Sequence, residues 1–309
     1  MQPIRVGVVG LGKIALEEHV PALLADSAYS LAACVSSCAR LEGVPHFPTI
    51  EAMLDSCPDI DAVAICTPPQ AHYEAAKYAL ERNKHVLLEK PPCPTLEEFD
   101  DLVDIAQRNN CTLFQTWHAR ETVAVDAAAR WAAERQLRSG QILWKEDVRQ
   151  WHPQQAWIWQ EGGFGVVDAG INAISILTKI LPGAISVKTA HLLVPANCES
   201  PIAASVVFGT AAGALINAEF DFRHRGAQVR SIALESGSDT LNLVLDGAKL
   251  DRDGTPLSPE SQQHEYAVLY RRFAELVGRR ESDADKRPLA LAIAIFRQAE
   301  RSIIEPFQE

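Results

Sequence analysis

The chain reads as two domains of different class. Residues 1–118 read as an α/β domain on a parallel sheet, and residues 119–309 as an α+β domain with a large open, mostly antiparallel sheet. Three features carry that reading. Apolar strand-like runs alternate with amphipathic stretches through the first part, the pattern of parallel strands joined by right-handed crossovers. The alternation stops near His118, and short strands separated by hairpin signals replace it. A length of 309 residues also suffices for two separately cored domains.

Residues 4–9, IRVGVV, are the first expected strand, and they run into Gly10-Leu11-Gly12-Lys13-Ile14-Ala15, a GxGxxA turn. A helix then reaches about residue 26. In this setting Gly10 makes the tight turn, Gly12 lets backbone approach a pyrophosphate, and Ala15 allows close helix–strand packing. The helix start, with Lys13 and Ile14, offers free N–H groups to the phosphates. Because the glycines follow a strand and open a helix, they point to a dinucleotide in a Rossmann-type domain. Residues 31–35 give the second strand. An acidic residue at its end would hold the ribose of NAD, and none is there. Ser36 and Ser37, with Arg40 close by, tolerate a 2′-phosphate, so NADP or NAD, with dual use, is the expected cofactor.

A third strand at 62–66, AVAIC, is broken by Thr67-Pro68-Pro69, and Cys66, Thr67, Pro68 and Pro69 are expected on the cofactor side. In the helix that follows, at about 71–82, His72 is either a cofactor contact or an ordinary first-turn histidine. The next strand lies in His85 to Pro94, HVLLEKPPCP, and stops at Glu89-Lys90 because two prolines give no N–H to a ladder. Open α/β sheets place ligands at the C-terminal ends of their strands. Lys90 is therefore a candidate reacting group with Glu89 as a cofactor-side neighbour; an ion-paired surface lysine is the plain alternative. A helix at 96–108 and a strand at 112–116 complete the domain.

After a helix at 123–135, strands are expected at 141–149, 185–194, 202–209, 213–222, 228–235 and 239–245. Hairpin signals lie between Gly209 and Gly213 and at Asp253-Gly254. From Pro288 the spacing of Leu289, Ile293, Phe296, Ala299 and Ile303 marks a terminal helix, free to pack back on the first domain. Two stretches here carry chemistry. Residues 144–159, WKEDVRQWHPQQAWIW, hold four of the six tryptophans among Lys145, Glu146, Asp147, Arg149 and His152. Flat aromatic faces beside carboxylates and an imidazole suit a polyhydroxylated ring; a subunit interface is the alternative. The second stretch, Gly162 to Asn172, is a glycine-rich loop entering a helix on which Asp168, Asn172, Ser175 and Lys179 form one stripe. A carboxylate and an amide one turn apart can bracket a substrate hydroxyl, whereas the plain reading is a solvated face.

Composition sets the boundaries. A formal charge of −11 argues against nucleic acid or anionic lipid as main partner. No apolar run reaches transmembrane length, and the N-terminus enters a strand with no signal-peptide pattern, so no membrane association and a cytoplasmic location are expected. Seven cysteines without a CxxC pair suggest reduced structural thiols and no metal site. An open sheet with one face uncovered makes a homo-oligomer through that face the expected assembly.

GLGKIA, CTPPQAHYEAA, the lysine of HVLLEKPP and the G-G-x-G-x-x-D-x-G helix entry occur together in order, and the chain thereby resembles the glucose–fructose oxidoreductase/inositol dehydrogenase family. Within it, WKEDVRQWHPQQAWIW, GFGVVDAGINAISILTKILPGA and VPANCESPIAA are similar to the aldose 1-dehydrogenases acting on D-galactose and L-arabinose. The resemblance implies NAD(P)-dependent oxidation of a pyranose at C1 to an aldonolactone. It places Lys90 at the reacting hydroxyl, Asp168 at the family's aspartate position, and Asn172 where many relatives carry histidine. An amide takes no proton, so the base is Asp168 or, failing it, Lys90, with Asn172 orienting the sugar. His118, Glu146, Trp151, His152, Trp157 and Trp159 are the expected sugar contacts. Oxidation of a ring secondary alcohol, as in inositol dehydrogenases, and a non-catalytic NAD(P)-binding sugar sensor are the alternatives.

Overall fold

The computed structural model describes residues 2–37, 39–237, 239–244, 249–257 and 264–308. Strand β1 (Ile4–Val9) ends in the glycine turn, and a π-helical turn at Ala15–His19 continues into α1 (Val20–Ala25). There follow β2 (Tyr29–Val35), the short β3 (His46–Phe47), and α2 (Ile50–Ser56), which starts where the Thr49 side chain accepts the Ala52 N–H. Next come β4 (Ala62–Ile65), α3 (His72–Glu81), β5 (His85–Leu88), α4 (Leu96–Arg108) and β6 (Leu113–Gln115). Thr95 and Glu98 close a reciprocal capping box at the start of α4, satisfying two N–H groups that the helix itself leaves open.

The second part opens with α5 (Val123–Ala133), β7 (Ser139–Lys145), α6 (Val148–Trp151) and α7 (Val166–Ile180). A run of strands follows: β8 (Ile185–Pro195), β9 (Ala203–Thr210), β10 (Leu215–Asp221), β11 (Val229–Ser236), β12 (Asp239–Val244), β13 (Lys249–Arg252) and β14 (Thr255–Leu257). The described chain closes with α8 (Glu265–Arg279), α9 (Arg287–Gln298) and β15 (Glu300–Ile304).

Two expectations are corrected and one helix is added. The strand expected at 141–149 stops at Lys145, because Asp147 accepts the Arg149 N–H and caps the start of α6. The terminal helix ends at Gln298; Ile303 lies on β15 and is 69% exposed, so it is no part of an apolar helix face. Two α8 positions, Tyr266 and Phe273, belong to a helix that sequence periodicity left unassigned. Cys38 and Leu245, which sequence reading placed at a strand end and in a strand, lie outside the described residues.

By contact density the chain divides into two units, residues 1–118 with 264–286, and residues 119–263 with 287–309. The segment that rejoins the first unit is therefore the one carrying α8, while α9 packs on α7 and β8 within the second. In the first unit six parallel strands run in the order β3-β2-β1-β4-β5-β6. Val6, Val8, Ala64 and Leu87 from these strands share a core with Leu269, Tyr270, Phe273 and Leu276 of α8. The C-terminal strand ends form a stepped row. Gly10 donates its N–H to Val35, Cys66 to Val9, Glu89 to Ile65 and Thr116 to Leu88. That row is what sets the candidate groups side by side.

The second unit is a sheet of nine described strands, in the order β14-β13-β12-β11-β7-β10-β9-β8-β15. β7–β10 and β8–β15 pair in parallel and the other described neighbours antiparallel. Alternation defines its faces: along β10, Ile216, Ala218 and Phe220 are buried under α7 while Leu215, Asn217 and Glu219 are exposed. No helix among the described residues is long and apolar enough to cross a membrane.

Candidate active site

The row of strand ends in the first unit is suited to a dinucleotide. Gly10 has φ +91°, a left-handed conformation, and a Cβ there would meet the Thr67 backbone nitrogen at 2.8 Å. Gly12 has nothing within 4 Å of where its Cβ would stand, so the turn leaves its outer side open to a ligand. Beside it, the Thr67 Oγ1 is buried with no hydrogen-bond partner among the described residues, an orphan hydroxyl available to a bound group. Lys13 is exposed and Ile14 half-buried at the start of the helical turn. Ser36 is buried and its hydroxyl accepts the Ala39 N–H, whereas Ser37 and Arg40 face solvent at the end of β2. Cys66 and Pro69 are buried and Thr67 and Pro68 half-buried.

Two residues expected on the cofactor are turned inward instead. His72 is fully buried, with Nε2 2.6 Å from the Thr67 carbonyl and Nδ1 3.0 and 3.1 Å from those of Pro91 and Pro92. Burial lowers its pKa, outweighing the carbonyls that favour a proton. The imidazole therefore ties the β4 exit to the turn after Lys90. Glu89 is 4% exposed, and both its oxygens are occupied by protein donors. Oε1 accepts from His19 Nε2 at 3.0 Å, Thr116 Oγ1 at 3.0 Å and Tyr266 OH at 2.9 Å, and Oε2 accepts the Lys90 backbone N–H at 2.8 Å. Burial opposes ionisation of Glu89, but the hydrogen bond and charge of His19, the charge of His118 and the Lys90 amide together hold its pKa at about 2. His19 answers from the other side. Burial disfavours its charge, yet the Cys66 thiol, the Tyr270 hydroxyl and the Glu89 carboxylate around the ring keep its pKa well above the ordinary value. The Lys90–Pro91 peptide is cis.

His118, just past β6, donates from Nδ1 to Glu265 Oε2 at 2.7 Å and stacks on Tyr266 at 5.6 Å between centroids. It is held at the same edge of the parallel sheet, a fifth of its side chain exposed.

The second unit carries the other candidates. Gly165, at φ +52°, lets the chain enter α7 against Pro201, whose carbonyl would lie 2.3 Å from a Cβ and accepts the Val166 N–H. Asp168, in the first turn of α7, is 2% exposed, and Asn172 one turn on is half-buried. The stripe they head is not a solvated face. Further along, the Ser175 carbonyl and Thr178 hydroxyl accept from the Arg120 guanidinium, and Lys179 donates to the Arg120 carbonyl and pairs with Asp126 at 2.8 Å. Those residues fasten α7, leaving Asp168 and Asn172 as its chemically interesting pair.

Glu146, expected as a sugar contact, is 1% exposed, and its oxygens take hydrogen bonds from Arg230 at 2.8 Å and Gln228 at 3.0 Å, with His152 Nε2 at 3.0 Å. Burial raises the cost of its charge; His152 and Arg230 outweigh that and lower its pKa. Glu146 is thus the anchor that orients His152 and Arg230. The Arg230 guanidinium lies 5.4 Å from the Trp144 ring and 5.9 Å from that of Trp151, within cation–π range. Trp157 is half-buried. Trp159 packs on Phe222 and Phe307 and walls an open cavity of about 730 Å³ with Gln160, Asn197 and Glu199 on its rim. No cluster of metal-ligating side chains occurs among the described residues.

Sequence reading missed His19, Thr116, Tyr266, Tyr270, Gln228 and Arg230. Two signals were present: tyrosines on the buried stripe of α8, and a charge at an inward position of the Arg230-Ile232-Leu234 alternation. Neither names its partner.

Comparison with known proteins adds four findings. Residues 4–116 match the GFO_IDH_MocA family, described as "Oxidoreductase family, NAD-binding Rossmann fold". Galactose 1-dehydrogenase of Pseudomonas fluorescens is 42% identical over 313 residues, covering all of both chains. The crystal structure of a D-galactose-1-dehydrogenase protein from Rhizobium etli superposes with a TM-score of 0.93 at 45% identity, covering 100% of this chain and 99% of that one. A 3-ketoreductase from Actinomadura kijaniata, solved with NADP and TDP-benzene, shares the fold at a TM-score of 0.86 and 21% identity, covering 98% and 99%.

Proposed function

The chain belongs to the GFO/IDH/MocA oxidoreductase family as an NAD(P)-dependent sugar dehydrogenase, and from that premise we propose that it oxidises C1 of D-galactose, L-arabinose or both to the aldonolactone. The observation that carries the reading is whole-length likeness to galactose 1-dehydrogenase in a chain that keeps Lys90 at the sheet edge and Asp168 at the α7 entry. Gly10, Gly12, Thr67 and the β2 exit would hold NAD or NADP, which supplies the hydride acceptor when bound. Lys90 stabilises the anomeric oxygen as negative charge develops on it, a contact worth most in the transition state. Asp168 takes the hydroxyl proton, and Lys90 is the second candidate for that step. Asn172 orients the sugar by donating and accepting without proton transfer. His118, Trp151, His152, Trp157 and Trp159 make the sugar contacts, with Glu146 holding His152 in place. We also place the enzyme in the cytoplasm, as a homo-oligomer associating through the open face of the nine-stranded sheet.

The test is a substrate panel. Pure protein with NAD+ or NADP+ is offered aldoses and inositols, reduced nicotinamide is followed, and the product is identified. Lactone supports the reading. A keto-sugar assigns the enzyme to ring secondary alcohols, and ligand-induced thermal stabilisation without turnover assigns it to sensing.

A further inference from the structure

Glu89 has no assigned task in the chemistry, yet it is the most heavily committed buried carboxylate of the first unit. Four donors converge on it from separate parts of the chain: His19 after the glycine turn, Thr116 after β6, Tyr266 on α8, and the backbone N–H of Lys90. His19 is held in turn by Tyr270 at 2.9 Å, and its ring packs edge-on against both tyrosines. Every one of these side chains is buried. A buried ion pair of this kind is weak as a source of stability, since well-packed apolar residues often serve the fold equally well. What apolar residues cannot do is accept the N–H of the next residue in the chain. The next residue is Lys90.

We propose that Glu89 is the positioning residue of Lys90: its carboxylate, locked by His19, Tyr266 and Thr116, accepts the Lys90 amide N–H and sets the backbone from which the reacting ammonium extends. One oxygen serves the lock and the other serves the lysine. The arrangement ties the aim of Lys90 to the helical turn that follows the cofactor glycines, through His19 at its end. This rests on Lys90 being the reacting lysine, so part of its test reads no turnover at all.

Two variants separate positioning from bulk folding. The His19→Leu/Glu89→Leu double variant replaces both charges with apolar groups and removes the acceptor for Lys90. Glu89→Gln keeps an acceptor oxygen for the Lys90 N–H, with its NH2 turned toward the Tyr266 and Thr116 hydroxyls, which can rotate to accept. The expected result for the double variant is a folded protein that binds NADH within about twofold of wild type and keeps its sugar KM, but loses roughly 100-fold in kcat, the scale of a misplaced reacting group. Glu89→Gln retains kcat within about tenfold, a rescue that loss of packing alone would not produce. Residue-resolved amide exchange supplies the readout independent of catalysis: the Lys90 N–H is protected in wild type and in Glu89→Gln, and exchanges faster in the double variant. Wild-type kcat in the double variant, loss in Glu89→Gln as large as in the double variant, or a wild-type Lys90 amide exchanging at the free-peptide rate each overturns the proposal. If the double variant does not fold, wild-type exchange and Glu89→Gln still decide. A wild type that oxidises no sugar while protecting the Lys90 amide sinks the dehydrogenase reading and leaves the positioning role standing.

Discussion

Replacing Arg230 with methionine should destabilise the second unit by about 2–4 kcal/mol at neutral pH. The figure follows from geometry. Glu146 is 1% exposed, and Arg230, three-tenths exposed, gives it a 2.8 Å hydrogen bond. Breaking one partner from a fully buried pair costs about 3–5 kcal/mol, because a charge is left uncompensated. Here His152 and Gln228 remain to share the carboxylate, and solvent reaches part of the guanidinium, so the lower range applies. For a unit of this size that corresponds to a drop of roughly 5–15 °C in Tm. The pH dependence gives a sharper check. The folded pKa of Glu146 lies below its unfolded value, so its stabilisation is present above about pH 4.5 and fades as pH falls through the folded pKa. Removing Arg230 raises that folded pKa, so the deficit of Arg230→Met should shrink as the pH is lowered through this range. Thermal melts from pH 7 downward by circular dichroism measure it. A Tm within about 1 °C of wild type at neutral pH, or a deficit that widens in acid, would refute the reasoning.

Lys90→Met should lower kcat by about a thousandfold or more while NADH affinity, read by fluorescence titration, stays near wild type; retained kcat rejects its assignment. For Asp168→Asn, loss of kcat well beyond any rise in sugar KM identifies the base, and a change confined to KM makes Asp168 a binding group and moves the proton to Lys90. Because no carboxylate stands at the end of β2 and Ser37 and Arg40 face solvent there, kcat/KM with NAD+ and NADP+ should agree within about a hundredfold; strict NAD use contradicts the reading of that strand end. Leu215→Glu combined with Val244→Glu puts charge on the exposed sheet face and should shift a homo-oligomer toward smaller species in light scattering, whereas an unchanged mass removes that face from the interface.

Much of the first unit was legible because its signals are short. IRVGVV followed by GLGKIA specifies a strand, a turn and a helix within a dozen neighbouring residues, and two prolines after Lys90 stop β5 through chemistry that needs no partner. The parallel character of the first sheet and the mostly antiparallel character of the second followed from the same kind of evidence. Where a rule had to choose between two local outcomes, it failed locally: Asp147 is a helix cap, so β7 ended early, and the helical spacing past Gln298 was carried on by a strand. Tertiary structure alone decided which polar groups were already taken. Glu89 and Glu146 look in sequence like carboxylates free to meet a ligand, and each is instead enclosed by donors from distant segments, Tyr266 lying 177 residues from Glu89 and Arg230 lying 84 from Glu146. Periodicity and turn chemistry are written into adjacent residues, but a buried charge takes whichever partner the packed chain brings within hydrogen-bond distance, and that is a property of the fold as a whole.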